Sequence, residues 1–336
     1  MEEHMDWKKT CKTIKVFILG AVVFVLSAAP AAAETTTITA LSAWPRTASE
    51  TLQFLKFIKL FQAEADNKYP GEIKIDYKGA GEVIKNTEQV EALRKGLIDM
   101  VFMAGSYYTS IIPEIDIMCL STKTPWQEKA DGVLDYLEEI HNKKANAHVL
   151  GRVGSGSYFH IFLSKPISSM ADFKGKKLRS SATPVPFIKS MGVSPVGMPP
   201  PDIFTAMERG VIDGYILPPA TIRDFGLIKA SKYMVYPGFY KPSTYILMNL
   251  DKWNKLPAHL QELLTTHTEE MAHYAIAAKH ELLIDDLVDF EKQGMKFIHL
   301  DPAEAKTFQE QAEAMLVETI SKKSPEETKK LLELIK

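Results

Sequence analysis

A short segment of this chain places one arginine beside several hydroxyl-bearing residues. Gly175 is followed by a basic and apolar run at residues 176–178, by Arg179, and by the sequence Ser-Ser-Ala-Thr at residues 180–183. The glycine predicts a turn and the run predicts a short strand, so Arg179 would stand at the end of that strand. A guanidinium in this place can bind a carboxylate through two parallel hydrogen bonds. A surface arginine would give the same local pattern, and the segment alone leaves both interpretations open.

No combination of residues in the chain predicts catalysis or metal binding. The nine histidines include no His-x-x-x-His pair, and the chain has two cysteines that are far apart in sequence. The run Gly-Ser-Gly-Ser at residues 154–157 lacks the Gly-x-Ser-x-Gly pattern of a nucleophile elbow. Neither a phosphate-binding loop nor a dinucleotide-binding glycine motif follows a predicted strand. We therefore predict a protein that is not an enzyme, with no catalytic residues, no metal site and no cofactor.

Residues 1–33 have the layout of a cleaved secretory leader. Four lysines between residues 8 and 15 precede an apolar run at residues 16–28, and small residues lead up to Ala33. The apolar run is shorter than the roughly 20 residues that span a bilayer, which favours cleavage after Ala33 over a membrane anchor. We expect export through the Sec pathway to a Gram-negative periplasm and a mature protein that is not membrane-embedded.

The cysteine content argues against an internal disulfide, and the charge argues against nucleic acid as a partner. Cys11 lies in the leader, so the mature chain would retain Cys119 alone and form no internal disulfide. The chain has 40 Lys plus Arg residues against 42 Asp plus Glu residues, and it lacks a basic stretch with interleaved aromatic residues. Nucleic acid is therefore not an expected partner.

Strands and helices alternate along the rest of the chain. Hydrophobic spacing predicts strands separated by helices, in the order strand 35–41, helix 49–67, strand 72–77, helix 86–95 and strand 99–104. This order predicts two βαβ units and a parallel sheet. The alternation resumes between residues 148 and 249, and long helical patterns follow. The predicted fold class is α/β with two lobes, with the chain crossing between them near residues 151–156 and 237–242.

The turns that follow the predicted strands contain the candidate binding residues. In open α/β sheets a ligand binds beside the carboxyl ends of the strands. Aromatic side chains together with one arginine suit a small organic anion with an apolar body. The residues that we expect to bind the ligand are Arg179, Trp44, Tyr107, Tyr158, His160, Ser181, Tyr215, Leu217, Phe239 and Glu82.

Several stretches of the chain resemble the solute-binding proteins of TRAP (tripartite ATP-independent periplasmic) transporters, the DctP-like family. Residues 170–179, MADFKGKKLR, are similar to a signature of that family, and residues 199–214, PPPDIFTAMERGVIDG, are similar to a second one. Weaker likenesses lie at residues 90–100 and 248–257. The resemblance extends from about residue 37 to about residue 310, which is nearly the whole predicted mature chain.

The resemblance implies a type II-like periplasmic binding protein with hinge crossovers and a long helix that spans both lobes. Lobe I would comprise residues 34–153 and about 241–256, and lobe II residues 154–240. Residues 257–336 would form the spanning helix and C-terminal helices that pack on both lobes. In the family, the arginine of the first signature binds the ligand carboxylate, which here is Arg179.

Two further positions carry expectations from the family. The segment after Asp213-Gly214 holds a ligand-contacting side chain in relatives, and here it is the less polar Tyr-Ile-Leu at residues 215–217. This departure disfavours sialic acid or a simple C4-dicarboxylate. A second arginine, found in some relatives, corresponds in position to Arg152.

The resemblance also implies a function. The protein would bind a small organic acid between its lobes and deliver it to the small and large membrane subunits of a TRAP permease. A periplasmic receptor that reports to a sensor kinase is an alternative, and an exported α/β enzyme is another. The ligand could be an aromatic or branched 2-oxo or 2-hydroxy acid, a dicarboxylate or a sulfonate, and the sequence leaves these open.

Overall fold

The computed structural model of the protein describes residues 35–153 and 157–336. The leader predicted at residues 1–33 therefore lies outside the described residues, as do residues 154–156 of the first predicted crossover. Among the helices of the described ranges, none combines the length and the apolar character that crossing a bilayer requires.

The first sheet has five strands and is mixed. Its strands are β1 (Thr36–Ser42), β2 (Ile73–Gly79), β3 (Met100–Ala104), β4 (Ala147–Val153) and β10 (Thr244–Asn249), and their order is β2-β1-β3-β10-β4. Strands β2 and β3 pair with β1 in parallel, as predicted for the two βαβ units. Strand β10 is antiparallel to both of its neighbours, because the chain returns here from the second sheet.

The second sheet has six strands. They are β5 (Phe159–Leu163), β6 (Lys177–Arg179), β7 (Ser194–Val196), β8 (Gly214–Leu217), β9 (Tyr233–Phe239) and β11 (Lys296–His299), in the order β11-β9-β5-β8-β6-β7. Strand β6 is parallel to β7 and β8, so the carboxyl ends of these three strands lie at one edge of the sheet. Strands β7 and β11 are absent from the sequence-based predictions.

Helices cover the sheets and connect them. They are α1 (Ser49–Lys68), α2 (Gln89–Arg94), α3 (Pro125–Ala130), α4 (Val133–Ala145), α5 (Val185–Ser190), α6 (Ile203–Glu208), α7 (Pro219–Asp224), α8 (Leu250–Asn254), α9 (Ala258–Lys292), α10 (Pro302–Ser321) and α11 (Pro325–Ile335). The pair α3 and α4 was not predicted, although Thr124 and Gln127 form a capping box at the start of α3.

The long helix α9 joins the two parts of the molecule. Near its start, Leu260 and Leu264 are buried in the core that includes the first sheet. Near its end, Phe290 is buried in a second core with residues of β8 and β9. Helix α9 contacts α1, β4 and α7 along its length. The expectation of a long helix that spans both lobes is confirmed.

The central strands are apolar on both faces. Every residue of β3, β5 and β10 is buried, and these strands lie inside their sheets rather than at an edge. Strands that are covered on both faces have continuous apolar runs rather than alternating ones.

The chain returns from β9 to the first sheet through residues 240–243, which include Tyr240 with a left-handed φ of 48°.

The Asp213-Gly214 pair has a structural role at the start of β8. The Asp213 carboxylate accepts a 2.7 Å hydrogen bond from the backbone N–H of Lys177, which fixes β6 against β8. A Cβ atom on Gly214 would lie 2.2 Å from the carbonyl oxygen of Phe162 on β5. Strands β5 and β8 can therefore approach only because this position lacks a side chain.

We expect Gly214→Ala to reduce the free energy of unfolding by about 3 kcal/mol, because the backbone of β5 would have to move. Urea denaturation monitored by circular dichroism measures the change. Gly197→Ala is the matched control, since a Cβ atom there meets nothing within 4 Å. Equal stability of the two variants would contradict this account of Gly214.

Candidate functional site

Arg179 is the last residue of β6 and is buried, with 3% of its surface exposed. Its Nε donates a 2.9 Å hydrogen bond to the carbonyl of Met198, and Nη1 lies 3.5 Å from the carbonyl of Ile216. Within the described ranges, no carboxylate oxygen lies within the 4.0 Å of its nitrogens that defines an ion pair. The guanidinium is thus held in position by backbone carbonyls and has no neutralising partner there.

The electrostatics of Arg179 follow from this arrangement. Burial lowers the pKa of the guanidinium, and the nearby Tyr107 hydroxyl opposes that effect. Burial likewise raises the pKa of Tyr107, while Arg179 opposes the increase. A buried charge without a counterion is costly, and a bound anion would remove that cost. The site is therefore suited to an anion.

Arg179 lies where two connected cavities meet. The inner cavity has a volume of about 970 Å³, including space that is open to solvent, and its lining includes residues of α1, α7 and α9. The outer cavity, of about 1570 Å³ including its open mouth, lies between the segment after β2 and the segment after β7. We call the two together the cleft. Both cavities are lined by Trp44, Ser106, Tyr107, Arg179, Ser181, Pro200 and Phe225.

An aromatic wall faces Arg179 from the first sheet. Trp44 packs against Phe102 at a centroid distance of 5.6 Å and against Tyr107 at 6.1 Å. The Trp44 carbonyl accepts hydrogen bonds from the hydroxyl groups of Ser42 and Thr51, at 2.9 and 2.8 Å. These contacts fix the turn after β1, so the indole has a defined position in the cleft.

The structure brings six of the expected ligand-binding residues to the cleft. They come from strand ends of both sheets and are Arg179, Trp44, Tyr107, Ser181, Leu217 and Glu82. The segments after β1, β2 and β3 and those after β6, β7 and β8 all contribute to its lining. The cavity therefore lies at the carboxyl ends of the parallel strands, where open α/β sheets place ligands.

The other four expected residues lie away from the lining of the cleft. Tyr158 is 42% exposed and packs under the Lys241 ammonium, whereas Phe239 is buried against Phe187 and Phe308. Both line a separate depression near Cys119.

Tyr215 and His160 are turned into the second sheet and its core. The Tyr215 hydroxyl contacts the Ser231 hydroxyl at 2.7 Å, and the His160 Nδ1 lies 3.0 Å from the Val235 carbonyl. Tyr215 precedes the end of β8 by two residues, so Leu217 reaches the cleft and Tyr215 does not.

Helices α1 and α9 contribute a wall that the sequence analysis missed. Gln53 of α1 and Lys279 and Asp286 of α9 line the inner cavity. None of the residues that we expected to bind the ligand lies on α1 or α9. The sequence carries no signal for this wall, because α9 has charged residues along its whole length and Asp285 is adjacent to Asp286.

Arg152 differs from Arg179 in having a full counterion. Its Nη1 donates to both carboxylate oxygens of Glu128, at 2.8 and 2.9 Å, and both side chains are buried. The Ser121 hydroxyl donates a further 2.6 Å bond to Glu128. Arg152 lies on β4 beside α3 and α9, outside the cleft lining. Its charge is already neutralised, which suits a structural role.

Two hydrogen-bonded contacts join elements of the two sheets near the cleft. Asp224, at the end of α7, accepts hydrogen bonds from the backbone N–H and hydroxyl of Ser49 at the start of α1, at 2.8 and 2.6 Å. The Thr183 hydroxyl, in the segment after Arg179, donates a 2.6 Å bond to the buried Asp116 carboxyl. The first contact joins two residues of the inner cavity's lining, and the second lies next to Ala182, which lines the outer cavity.

Comparison with known proteins shows which family the chain matches. Residues 46–323 match the family of bacterial extracellular solute-binding proteins, family 7 (DctP). The chain belongs to this family. Over 211 residues it is 28% identical to the monocarboxylate 2-oxoacid-binding periplasmic protein of Nostoc sp., a match that spans 60% of this chain and 57% of the Nostoc protein.

Solved structures share the fold. An extracytoplasmic solute receptor of Bordetella pertussis that binds pyroglutamic acid superposes with a TM-score of 0.78 at 19% identity, covering 90% of this chain and 99% of the receptor. A TRAP periplasmic solute-binding protein of Desulfovibrio salexigens with bound orotic acid gives a TM-score of 0.78 at 19% identity, covering 90% of this chain and 97% of that one. The expected two-lobe α/β fold is confirmed.

Removal of the charge should lower the free energy of unfolding at Arg152 but not at Arg179. We expect Arg152→Met to reduce the free energy of unfolding by about 3–5 kcal/mol, because Glu128 would remain buried and unpaired. Arg179→Met should stay within about 1 kcal/mol of the unmodified protein or exceed it, because no buried anion loses its partner. Urea denaturation of both variants without added acids measures the difference. A larger loss for Arg179→Met would contradict the unpaired state of Arg179.

The Asp116 contact should make stability depend on pH. Burial raises the pKa of Asp116 from 3.8 to about 7, and the Thr183 hydroxyl opposes the increase. Because the folded pKa is the higher one, this group's stabilising contribution is complete below about pH 4 and is lost as pH rises through about 7.

Asp116→Asn should therefore gain stability relative to the unmodified protein between pH 4 and pH 8. Denaturation at a series of pH values gives the difference, and the exposed Asp202→Asn is the control. A difference that does not change with pH would rule out the proton linkage.

Proposed function

We propose that this protein is the periplasmic solute receptor of a TRAP transporter and that it binds a small organic acid through Arg179. The observation that carries the proposal is the buried Arg179 guanidinium, which is fixed by two carbonyls and lacks a carboxylate partner among the described residues. Family membership supports the same conclusion. A carboxylate bound in the cleft would supply the missing charge.

The arrangement of the cleft supports a mechanism of capture between two lobes. Trp44 and Tyr107 come from the first sheet and Arg179 from the second, so a bound acid would contact both. Lobe I would comprise residues 34–153 and about 241–256, lobe II residues 154–240, and residues 257–336 would pack on both. Closure would be a hinge motion at the crossovers predicted near residues 151–156 and 237–242. The loaded receptor would dock on the small and large membrane subunits of the permease.

The proposal includes export. A leader at residues 1–33 that is cleaved after Ala33 would direct the chain through the Sec pathway to the periplasm. The Nostoc relative is named as a periplasmic protein, which supports this location.

We expect Arg179→Met to abolish or greatly weaken acid binding. Truncation of a desolvated arginine–carboxylate pair costs about 2–5 kcal/mol, which corresponds to about 30- to 4000-fold in Kd. A thermal-shift screen of an organic-acid library, followed by calorimetric titration of the acids that bind, measures the effect. The library includes pyroglutamate, orotate and branched 2-oxo acids.

The matched control is Arg209→Met, which removes an exposed arginine at the end of α6. Its Kd values should equal those of the unmodified protein. An acid that binds the unmodified protein and Arg179→Met with the same Kd would overturn the proposal, and so would a screen in which no acid binds.

A further inference from the structure

Two side chains that line the inner cavity have buried hydrogen-bond acceptors without donors. Gln53 is 7% exposed and Asp286 is 4% exposed, and both line this cavity. The Gln53 Oε1 and Asp286 Oδ2 atoms are buried and, across residues 35–153 and 157–336, accept no hydrogen bond. Buried polar atoms are rarely left without a partner in folded proteins. Two such atoms on one cavity wall indicate that a bound molecule supplies the donors.

The charges on this wall favour donors over a second anion. Three carboxylates lie here, on Glu50, Asp224 and Asp286, and two basic side chains pair with them. Lys279 Nζ lies 3.0 Å from Glu50 Oε2, and Arg223 contacts both Asp286 and Asp224. Among these described groups the acidic charges outnumber the basic ones, and each basic group already has an acidic partner.

The two sides of the cleft therefore differ in charge and in hydrogen-bonding character. At one side, the Arg179 guanidinium lacks an anion. At the other, the Gln53 Oε1 and Asp286 Oδ2 atoms lack donors, and the three carboxylates outnumber the two basic groups that pair with them. A ligand carboxylate is attracted to Arg179. A second carboxylate at the far wall would approach the carboxylates of Glu50 and of the buried Asp286, and like charges repel more strongly in a buried site than in water.

We propose that the solute is a monocarboxylate whose other end carries a hydrogen-bond donor, and that Gln53 is the residue that selects this donor. The donor is an amide N–H, a hydroxyl or an ammonium group, and Asp286 accepts from the same end. This inference rests on the proposed binding of a carboxylate by Arg179. It narrows the solute from small organic acids in general to those with a polar, donor-bearing tail.

Four acids with the same chain length test the choice of tail. Glutaramate ends in an amide, δ-aminovalerate in an ammonium group, pentanoate in a methyl group and glutarate in a second carboxylate. We expect the tighter of glutaramate and δ-aminovalerate to bind at least about tenfold more tightly than pentanoate or glutarate, since one buried hydrogen bond is worth about this factor. The comparison between the amide and the ammonium group identifies the charge state of the tail.

The variant Gln53→Met tests whether Gln53 selects the donor-bearing tail. The change keeps the length of the side chain and removes an oxygen that has no partner, so the free protein should be as stable as before. The ratio of the pentanoate Kd to the glutaramate Kd should fall at least about threefold. A purely structural role of Gln53 would weaken all four acids alike and leave the ratio unchanged. Gln311→Met, at an exposed position on α10, is the control of identical chemistry.

The outcomes separate this inference from the proposed function. If no acid binds in an Arg179-dependent way, the proposed function fails. If acids bind through Arg179 but none of the four does, or if pentanoate or glutarate binds as tightly as the donor-bearing acids, the inference fails alone. An unchanged Kd ratio in Gln53→Met would also overturn it.

Discussion

The structure around the cleft depends on one constraint, which is that the Arg179 guanidinium is buried and has no anionic partner among the described residues. Arg179 is held at the end of β6 by the carbonyls of Met198 and Ile216, which fix its direction and leave its charge uncompensated. Arg152 shows the alternative within the same chain, because Glu128 neutralises it completely. The contrast explains why one buried arginine suits packing and the other suits binding. The parallel strands beside Arg179 and the aromatic wall opposite it make this unpaired state geometrically possible.

The parts of the fold that follow from hydrophobic periodicity were predictable. Helices α1 and α9, the strands of the first sheet and the position of Arg179 at a strand end all agree with the sequence-based expectations. Strand β7 was missed because its Ser-Pro-Val sequence contains a proline, and β11 was missed because Lys-Phe-Ile-His does not alternate. The order of strands in each sheet, and the reversed direction of β10, depend on contacts between distant segments that a linear pattern does not contain.

The candidate site was predictable in part. Strand ends predicted Trp44, Tyr107 and Arg179 in the lining of the cleft, because parallel strands bring their carboxyl ends to one edge. Aromatic type alone did not distinguish a lining residue from a core residue. Tyr215 lies two residues before the end of β8 and Phe239 packs against Phe187 and Phe308, so both are buried away from the cleft. The wall of Gln53 and Asp286 was missed since it comes from helix faces, where only tertiary packing reveals which side meets the cavity.

Helix α9 forms a wall of the cleft on one side and an outer surface of the molecule on the other. Lys279, Leu283 and Asp286 face the inner cavity, while Ile284 on the same turn is 65% exposed. Any protein that touches the outer side of this turn is therefore separated from the solute by the thickness of a single helix.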